Sequence, residues 1–142
     1  MIQKIILPAR IEQLTVVNQM LREVFKSAPK EQLHRIELVV EELLANVCNY
    51  AYGGGSGEAS FSCGLVTFDG ESCVRLQFED HGAPFDPFVE RPEVDVQSDL
   101  DERAGGGLGI YFVTTIAKHY VYARINDTNQ VTIYIDNVSA QS

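Results

Sequence analysis

Hydrophobic positions in the first third of the chain define one short run and two helical stretches. Residues 2 to 7 are rich in isoleucine and are followed by Pro8, which lacks the N–H that a sheet ladder needs, so they predict an opening strand. From residue 11 to residue 25 the hydrophobic positions recur at steps of three and four, as one buried helical face requires. These positions are Ile11, Leu14, Val17, Leu21 and Val24. A second helix is predicted from Pro29 to about Tyr52.

Alternation of hydrophobic and polar residues predicts strands in the rest of the chain. Segments 58 to 68 and 72 to 80 alternate, and the Asp69-Gly70 pair between them is a strong hairpin signal. HYVYARIN and QVTIYID predict a second hairpin across DTN, and a third helix is predicted to begin near GLGIYFVTTIAKH. Three helices are too few to cover both faces of such a sheet. We therefore predict an α+β two-layer sandwich, with three helices on one face of a mixed, mostly antiparallel sheet.

The stretch from about 82 to 106 shows no clear hydrophobic period. It is rich in proline, glycine and acidic residues, which predicts a long loop. Loops of this length inside a compact domain are usually functional or disordered. We therefore expect one of these two properties here.

Composition and charge narrow the functional classes. The 142 residues fit one domain spanning residues 1 to 142, with 45% hydrophobic and 22% charged residues as in globular proteins. A formal net charge of −9 argues against nucleic acid as a partner, because a phosphate backbone needs clustered Lys and Arg. The three cysteines lack paired spacing and are interpreted as reduced core residues. With no signal-peptide pattern and no run of about 18 hydrophobic residues, we expect a cytoplasmic protein without a membrane partner.

A polar line on the second helix is the strongest candidate for chemistry. In EELLANVCNY, residues Glu42, Asn46 and Asn49 lie beside the predicted hydrophobic face, with Glu42 and Asn46 one i,i+4 step apart. Glu41 falls on the solvated face. The pattern leaves two interpretations open. The line is either the edge of the solvated face, or a site where Asn46 and Glu42 hold a hard cation and its water and the carboxylate accepts a proton.

Two further clusters have the same ambiguity when each is taken alone. FEDHGAPFDP ends a predicted strand at Asp80, which puts a carboxylate within reach of a ligand, although strands commonly leave a sheet this way. ERAGGGLGIYFV runs through glycines into a predicted helix, where bare backbone N–H groups can bind an anion, although a flexible hinge has the same composition. The sequence lacks the phosphate-loop and dinucleotide glycine motifs, zinc protease motifs and a nucleophile-elbow serine.

Taken together, the three clusters follow a known order. In chain order they are Glu42-x-x-x-Asn46, Asp80-x-Gly82 and Gly105-Gly106-Gly107-Leu108-Gly109. This order resembles the ATP-binding domain shared by gyrase, heat-shock chaperone ATPases, histidine kinases and mismatch-repair ATPases. Within that superfamily the chain looks most like the stand-alone anti-sigma factor serine kinases of bacteria. The resemblance covers nearly the whole chain and includes VVEELLANVCNYAY, DHGAPFDP, LDERAGGGLGIYFV and NQVTIYI.

The resemblance implies a role for each matching position. Glu42 corresponds to the general base and Asn46 to a Mg²⁺ ligand. Asp80 corresponds to the carboxylate that accepts a hydrogen bond from the adenine amino group of ATP, and Gly82 to the glycine that leaves room for the ring. The other nucleotide-binding positions implied are Asn49, Arg103, Gly105, Gly106, Gly107, Leu108 and Gly109. The loop at about 87 to 104 corresponds to a lid that closes over ATP.

The resemblance implies Mg²⁺-dependent phosphorylation of a serine on a small anti-sigma-factor antagonist, by a homodimer that also binds a sigma factor. Pro84 and Tyr50 depart from the pattern, which more often has glycine and histidine there. An alternative is a nucleotide-binding module that sequesters a sigma factor or signalling partner without catalysis. A histidine kinase is disfavoured, because the residues ahead of the nucleotide-binding helix are too few for the helical hairpin with the phosphoacceptor histidine.

Overall fold

An antiparallel sheet organises the part of the chain that the computed structural model describes, which is residues 2–52, 55–89 and 108–137. Its strands are β1 (Gln3–Pro8), β2 (Glu58–Phe68), β3 (Glu71–Asp80), β4 (His119–Ile125) and β5 (Thr128–Asp136). They lie in the order β1-β2-β3-β5-β4, and each neighbouring pair is antiparallel. The predicted α+β fold with a mostly antiparallel sheet is confirmed, and the pairs between described strands are all antiparallel.

Three helices in the described residues pack against one face of this sheet. They are α1 (Leu14–Val24), α2 (Lys30–Asn46) and α3 (Leu108–Ile116). A short 3₁₀ turn at Ile11–Gln13 leads into α1, and one π-helical turn at Val47–Ala51 extends α2. The predicted helices are therefore confirmed, with boundaries that differ by a few residues.

The core lies between the helices and the inward face of the sheet. The rings of Phe61 on β2 and Phe78 on β3 are buried at its centre, with their centroids 4.8 Å apart. The helical period of α2 places a continuous hydrophobic face against these rings. The buried hydrophobic residues of α2 are Ile36, Val39, Val40, Leu43 and Leu44.

The core face of α2 differs from the predicted face at three positions. The helical period puts Leu33 and Tyr50 on the hydrophobic face of the second helix, but both are only half-buried. Gln32 is buried instead, because its side-chain amide donates to the backbone carbonyl of Asp136 at 2.7 Å. A buried amide is tolerated where it finds such a partner.

The turn between β4 and β5 sets the register that matters for the site. Asn126 and Asp127 have φ angles of 50° and 61°, as a two-residue hairpin turn requires, and the first hairpin turn also has positive φ at the predicted Asp-Gly pair. The turn therefore consists of residues 126 and 127, so it begins one residue earlier and ends two residues earlier than the predicted DTN turn at 127–129. As a result, Asn129 belongs to β5 and pairs directly with Asp80 of β3.

Three other predictions from the sequence concern the lid, membrane-spanning helices and the cysteines. The predicted lid at about 87 to 104 begins with a turn at 87–89, and residues 90–104 lie outside the described residues. No helix in the described ranges is long and hydrophobic enough to cross a membrane. The cysteines are free thiols, and burial raises the pKa of Cys63 to about 11, so it stays protonated at neutral pH.

Candidate functional site

A cavity lies between the C-terminal part of α2 and the adjoining ends of β3 and β5. Three polar side chains line it, those of Asn46, Asp80 and Asn129. Its hydrophobic walls come from Leu43, Val47, Ala51, Phe78, Phe85, Pro87 and Val131. The cavity volume is about 20 Å³, close to the space that one buried water needs. A larger ligand would therefore extend beyond this space or displace part of the wall.

Phe85 closes the cavity from the segment that follows β3. Its ring stacks on the ring of Tyr50, with the centroids 4.6 Å apart and the planes inclined by 17°. Its backbone N–H donates to Oδ1 of Asn129 at 3.3 Å, which is long for a hydrogen bond. One aromatic stack and one long hydrogen bond thus position this part of the wall.

The Asp80 carboxylate is a buried acceptor at the cavity, since the residue is only 6% exposed. Its Oδ1 accepts hydrogen bonds from the backbone N–H of Gly82 and from Nδ2 of Asn129, both at 2.9 Å. Its Oδ2 accepts no hydrogen bond from the described residues. One carboxylate oxygen is therefore left for a donor on a ligand.

Asn46 brings an unsatisfied donor to the same cavity. Its Nδ2 atom is buried and has no hydrogen-bond partner in the described part of the chain. A buried donor without a partner costs about 1–3 kcal/mol, so a ligand that accepts this hydrogen bond is stabilised. Asn49, three residues further along, is exposed and does not line the cavity.

The Glu42 carboxylate lies against the first turn of α3. A Cβ atom built on Gly109 would stand 1.8 Å from Oε2 of Glu42, so only glycine permits this approach. The backbone N–H groups of a helix's first turn favour negative charge nearby. Burial, and then the charge of Glu41, nevertheless raise the pKa of the half-buried Glu42 carboxyl above its ordinary value.

A close backbone contact brings α2 and the end of β3 together. A Cβ atom on Gly82 would stand 1.9 Å from the carbonyl oxygen of Ala51, which ends the π-helical turn after α2. The same carbonyl accepts a hydrogen bond from the N–H of Ala83 at 3.1 Å. This contact explains why Asn46 and Asp80 line one cavity, and it gives Gly82 a role that the sequence did not predict.

The structure brings part of the predicted site together. Asn46 and Asp80 share the cavity, Glu42 touches Gly109, and Leu108 begins α3 as expected. Asn49 is exposed and is not among the residues that line the cavity. The other predicted positions lie outside the described residues: Arg103, Gly105, Gly106 and Gly107.

Sequence reasoning missed Asn129 and Phe85 as lining residues. Asn129 falls in the predicted DTN turn, and only the observed register of β5 against β3 shows that it faces Asp80. A polar residue at an inward position of NQVTIYI was the available signal. Arg124 was also missed, and its guanidinium donates to the carbonyl of Gly82 at 2.7 Å, which fixes the segment after β3.

The fold and the cavity define a small-ligand-binding α+β domain. The Oδ2 atom of Asp80 can accept a hydrogen bond from a donor on a ligand. The N–H groups at the start of α3, beside Glu42, and the amide nitrogen of Asn46, which has no partner in the described residues, can bind an anion. Residues 7–135 match the model of the histidine kinase-like ATPase domain family, and the chain belongs to this family.

A solved structure is also similar to the chain, namely the histidine kinase domain from the Erythrobacter litoralis EL346 blue-light activated histidine kinase. The two are 18% identical with a TM-score of 0.47. The likeness covers 92% of this chain and 62% of that one, so the chain spans less than two thirds of its length. No match was found among curated proteins.

Replacing Glu42 by glutamine is expected to raise the melting temperature at neutral pH, because burial disfavours the ionised carboxylate. A carboxyl whose pKa is raised on folding loses stability as the pH rises through that pKa. The difference between Glu42→Gln and the wild type should therefore shrink as the pH falls toward the unfolded value of about 4.3. Melting curves between about pH 5 and pH 8 measure this, and a gap that does not change with pH would contradict it.

Gly82→Ala is expected to lower the free energy of unfolding by about 1–3 kcal/mol, because the added methyl group meets the Ala51 carbonyl. Gly70→Ala is the matched control. Gly70 has open space around a Cβ and a φ of +80°, so the substitution costs only backbone strain of about 1 kcal/mol. Urea unfolding compares the two variants, and a Gly82→Ala protein as stable as the wild type would show that the contact is unimportant.

Proposed function

We propose that this chain is an ATP-dependent serine kinase of the anti-sigma type, which phosphorylates a small anti-sigma-factor antagonist. One observation carries the proposal: the Glu42 carboxylate lies against the first turn of α3 and one helical turn from Asn46, beside the cavity that Asp80 lines. Membership of the histidine kinase-like ATPase family supports ATP as the ligand. The resemblance of the motifs to the anti-sigma kinases supports serine as the phosphate acceptor.

The base of ATP would occupy the cavity. Its amino group is a donor that matches the free Oδ2 of Asp80, and its flat ring matches the hydrophobic walls formed by Phe78 and Val131. The cavity of about 20 Å³ is too small for a purine, so Phe85 has to move when the base enters. The stack on Tyr50 and the long hydrogen bond at 3.3 Å are the contacts that this movement breaks.

Asn46 fits the role of a Mg²⁺ ligand. The described residues contain no group of three or more His, Cys, Asp or Glu that could hold a metal ion alone. Mg²⁺ in nucleotide sites takes few protein ligands and completes its shell with water and phosphate oxygens, so one amide oxygen is a sufficient contribution. When bound, Mg²⁺ offsets the negative charge of the phosphates during transfer. The unpaired Nδ2 of Asn46 would donate to an adjacent phosphate or water oxygen.

Glu42 would act as the general base. Its raised pKa, caused mainly by burial, makes its carboxylate a better proton acceptor than an exposed glutamate. It would orient the serine hydroxyl and accept its proton while the serine oxygen forms a bond to the γ-phosphorus and the bond to the β-phosphate oxygen breaks. The N–H groups in the first turn of α3 would stabilise the negative charge on the phosphates.

The protein partners follow from the same resemblance. The unphosphorylated antagonist would compete with a sigma factor for a homodimer of this chain. The second candidate function is a nucleotide-binding interaction module that sequesters its partner without catalysis. One observation favours it, because Tyr50, where the related kinases more often have histidine, stacks on Phe85, which lines the cavity. ATP binding without phosphotransfer would support this second function.

Asp80→Asn is expected to weaken Mg-ATP binding by about tenfold or more, because an amide no longer supplies two acceptor oxygens to Gly82 and to the base. Isothermal titration calorimetry measures the affinity. Glu31→Gln, which removes a negative charge from the exposed start of α2, is the matched control and should bind ATP as the wild type does. If the wild type gives neither heat nor a thermal shift with adenine nucleotides and Mg²⁺, the proposed ATP binding is wrong.

Glu42→Gln is expected to lower the rate of phosphate transfer to the antagonist by about 100-fold or more, since a general base typically contributes that much. Its ATP affinity should stay within about threefold of the wild type, because the amide keeps the shape of the side chain. Labelled ATP with a candidate antagonist measures the transfer, and Glu31→Gln again serves as control. Equal transfer by Glu42→Gln and the wild type would remove Glu42 from this role.

A further inference from the structure

Asn129 is the most completely hydrogen-bonded side chain at the cavity, and the residue is only 2% exposed. Its Nδ2 donates to Oδ1 of Asp80 and to the carbonyl of Ala83, both at 2.9 Å. Its Oδ1 accepts from the hydroxyl of Tyr122 and from the N–H of Phe85. Two acceptors surround the nitrogen and two donors surround the oxygen, so the orientation of the amide is fixed.

The sheet places Asn129 beside Asp80 and beside the segment that follows β3. It pairs across the strands with Asp80 on β3, at the inward face, and with Arg124 on β4. The amide therefore reaches the carboxylate on one side and the segment from Ala83 to Phe85 on the other. Among the described residues, no other side chain forms hydrogen bonds to both.

We propose that Asn129 is a positioning residue of the nucleotide site, which holds the Asp80 carboxylate with its amide nitrogen and the closing Phe85 segment with its amide oxygen. This inference rests on the proposed ATP binding. Because Oδ1 of Asp80 already has two donors, the carboxylate cannot rotate without breaking hydrogen bonds. The free Oδ2 is held in one place as an acceptor, and this makes the site selective for a base that carries an amino group.

The four hydrogen bonds of Asn129 differ in how easily an entering ligand can break them. The bond to the Phe85 N–H is the long one, at 3.3 Å, and the hydroxyl of Tyr122 keeps the Asn129 oxygen partnered when that bond is lost. The bonds from Nδ2 are normal in length. The Phe85 segment can thus move away when a base enters, while Asp80 stays in position.

The preference for a base with an amino group can be measured, and a residue with a merely structural role would not change this preference. The test compares binding of ATP, of inosine triphosphate, whose base has an oxo group in place of the amino group, and of inorganic tripolyphosphate, which has no base. Calorimetry is performed with Mg²⁺ on the whole chain. The wild type is expected to bind ATP about tenfold or more tightly than inosine triphosphate.

Asn129→Ala is expected to reduce the preference for ATP over inosine triphosphate to about threefold or less, with tripolyphosphate affinity unchanged within about twofold. Tyr122→Phe, which removes one donor to the Asn129 oxygen and keeps the ring, should reduce the preference in the same direction but by less. Thr132→Val is the matched control on the same strand. Thr132 is buried on the other face of the sheet, where its hydroxyl accepts from Gln77 at 2.9 Å, so this variant should keep the full preference.

The outcomes separate this inference from the proposed function. If the wild type binds none of the adenine nucleotides, the proposed ATP binding fails and the inference fails with it. If the wild type prefers ATP but Asn129→Ala keeps the preference, only the positioning role is wrong. If Asn129→Ala does not fold, Tyr122→Phe decides, and an unchanged preference in that variant overturns the inference. A wild type that binds both triphosphates equally also overturns it.

Discussion

The close contact between Gly82 and the Ala51 carbonyl is the constraint on which the candidate site depends. Only a residue without a Cβ atom lets the backbone after β3 come this near the end of the π-helical turn. The contact joins the layer of helices to the end of the sheet where Asp80 emerges, and Arg124 reinforces it from β4 by donating to the Gly82 carbonyl. The contact thus lies at the junction where Asn46 from the helical layer and Asp80 from the sheet line one cavity.

Two polar groups of the candidate site lower the stability of the folded protein. The Glu42 carboxylate is half-buried with a raised pKa, and Asn46 keeps a buried amide nitrogen without a partner among the described residues. By contrast, the amide of Asn129 is fully satisfied. Unsatisfied groups are expected where a ligand completes the structure, and satisfied ones where a side chain holds another in place. The difference between these amides therefore fits a ligand contact for Asn46 and a supporting role for Asn129.

The sequence was sufficient to predict the helices and strands, and also those candidate site residues that are neighbours on one helix or stand at a strand end. Glu42 and Asn46 are one helical turn apart, so their proximity follows from the helical period, and Asp80 was recognisable at a strand end. Asn129 was not predictable, because its place opposite Asp80 depends on the β3–β5 register, which the positive φ angles of the turn before Thr128 determine. The role of Gly82 was also hidden, since spacing alone cannot show which backbone approaches a glycine.

The charge of the protein restricts how it can hold a triphosphate. The formal net charge is −9, and no Lys or Arg is among the described residues that line the cavity. Among the described residues, attraction of an anion can come from local dipoles, such as the N–H groups at the start of α3 and the amide nitrogen of Asn46. These partial charges act over a short range, and Glu42 opposes them when it is ionised. A divalent cation that accompanied the phosphates would remove this opposition, so we expect nucleotide affinity at the described part of the site to depend on Mg²⁺.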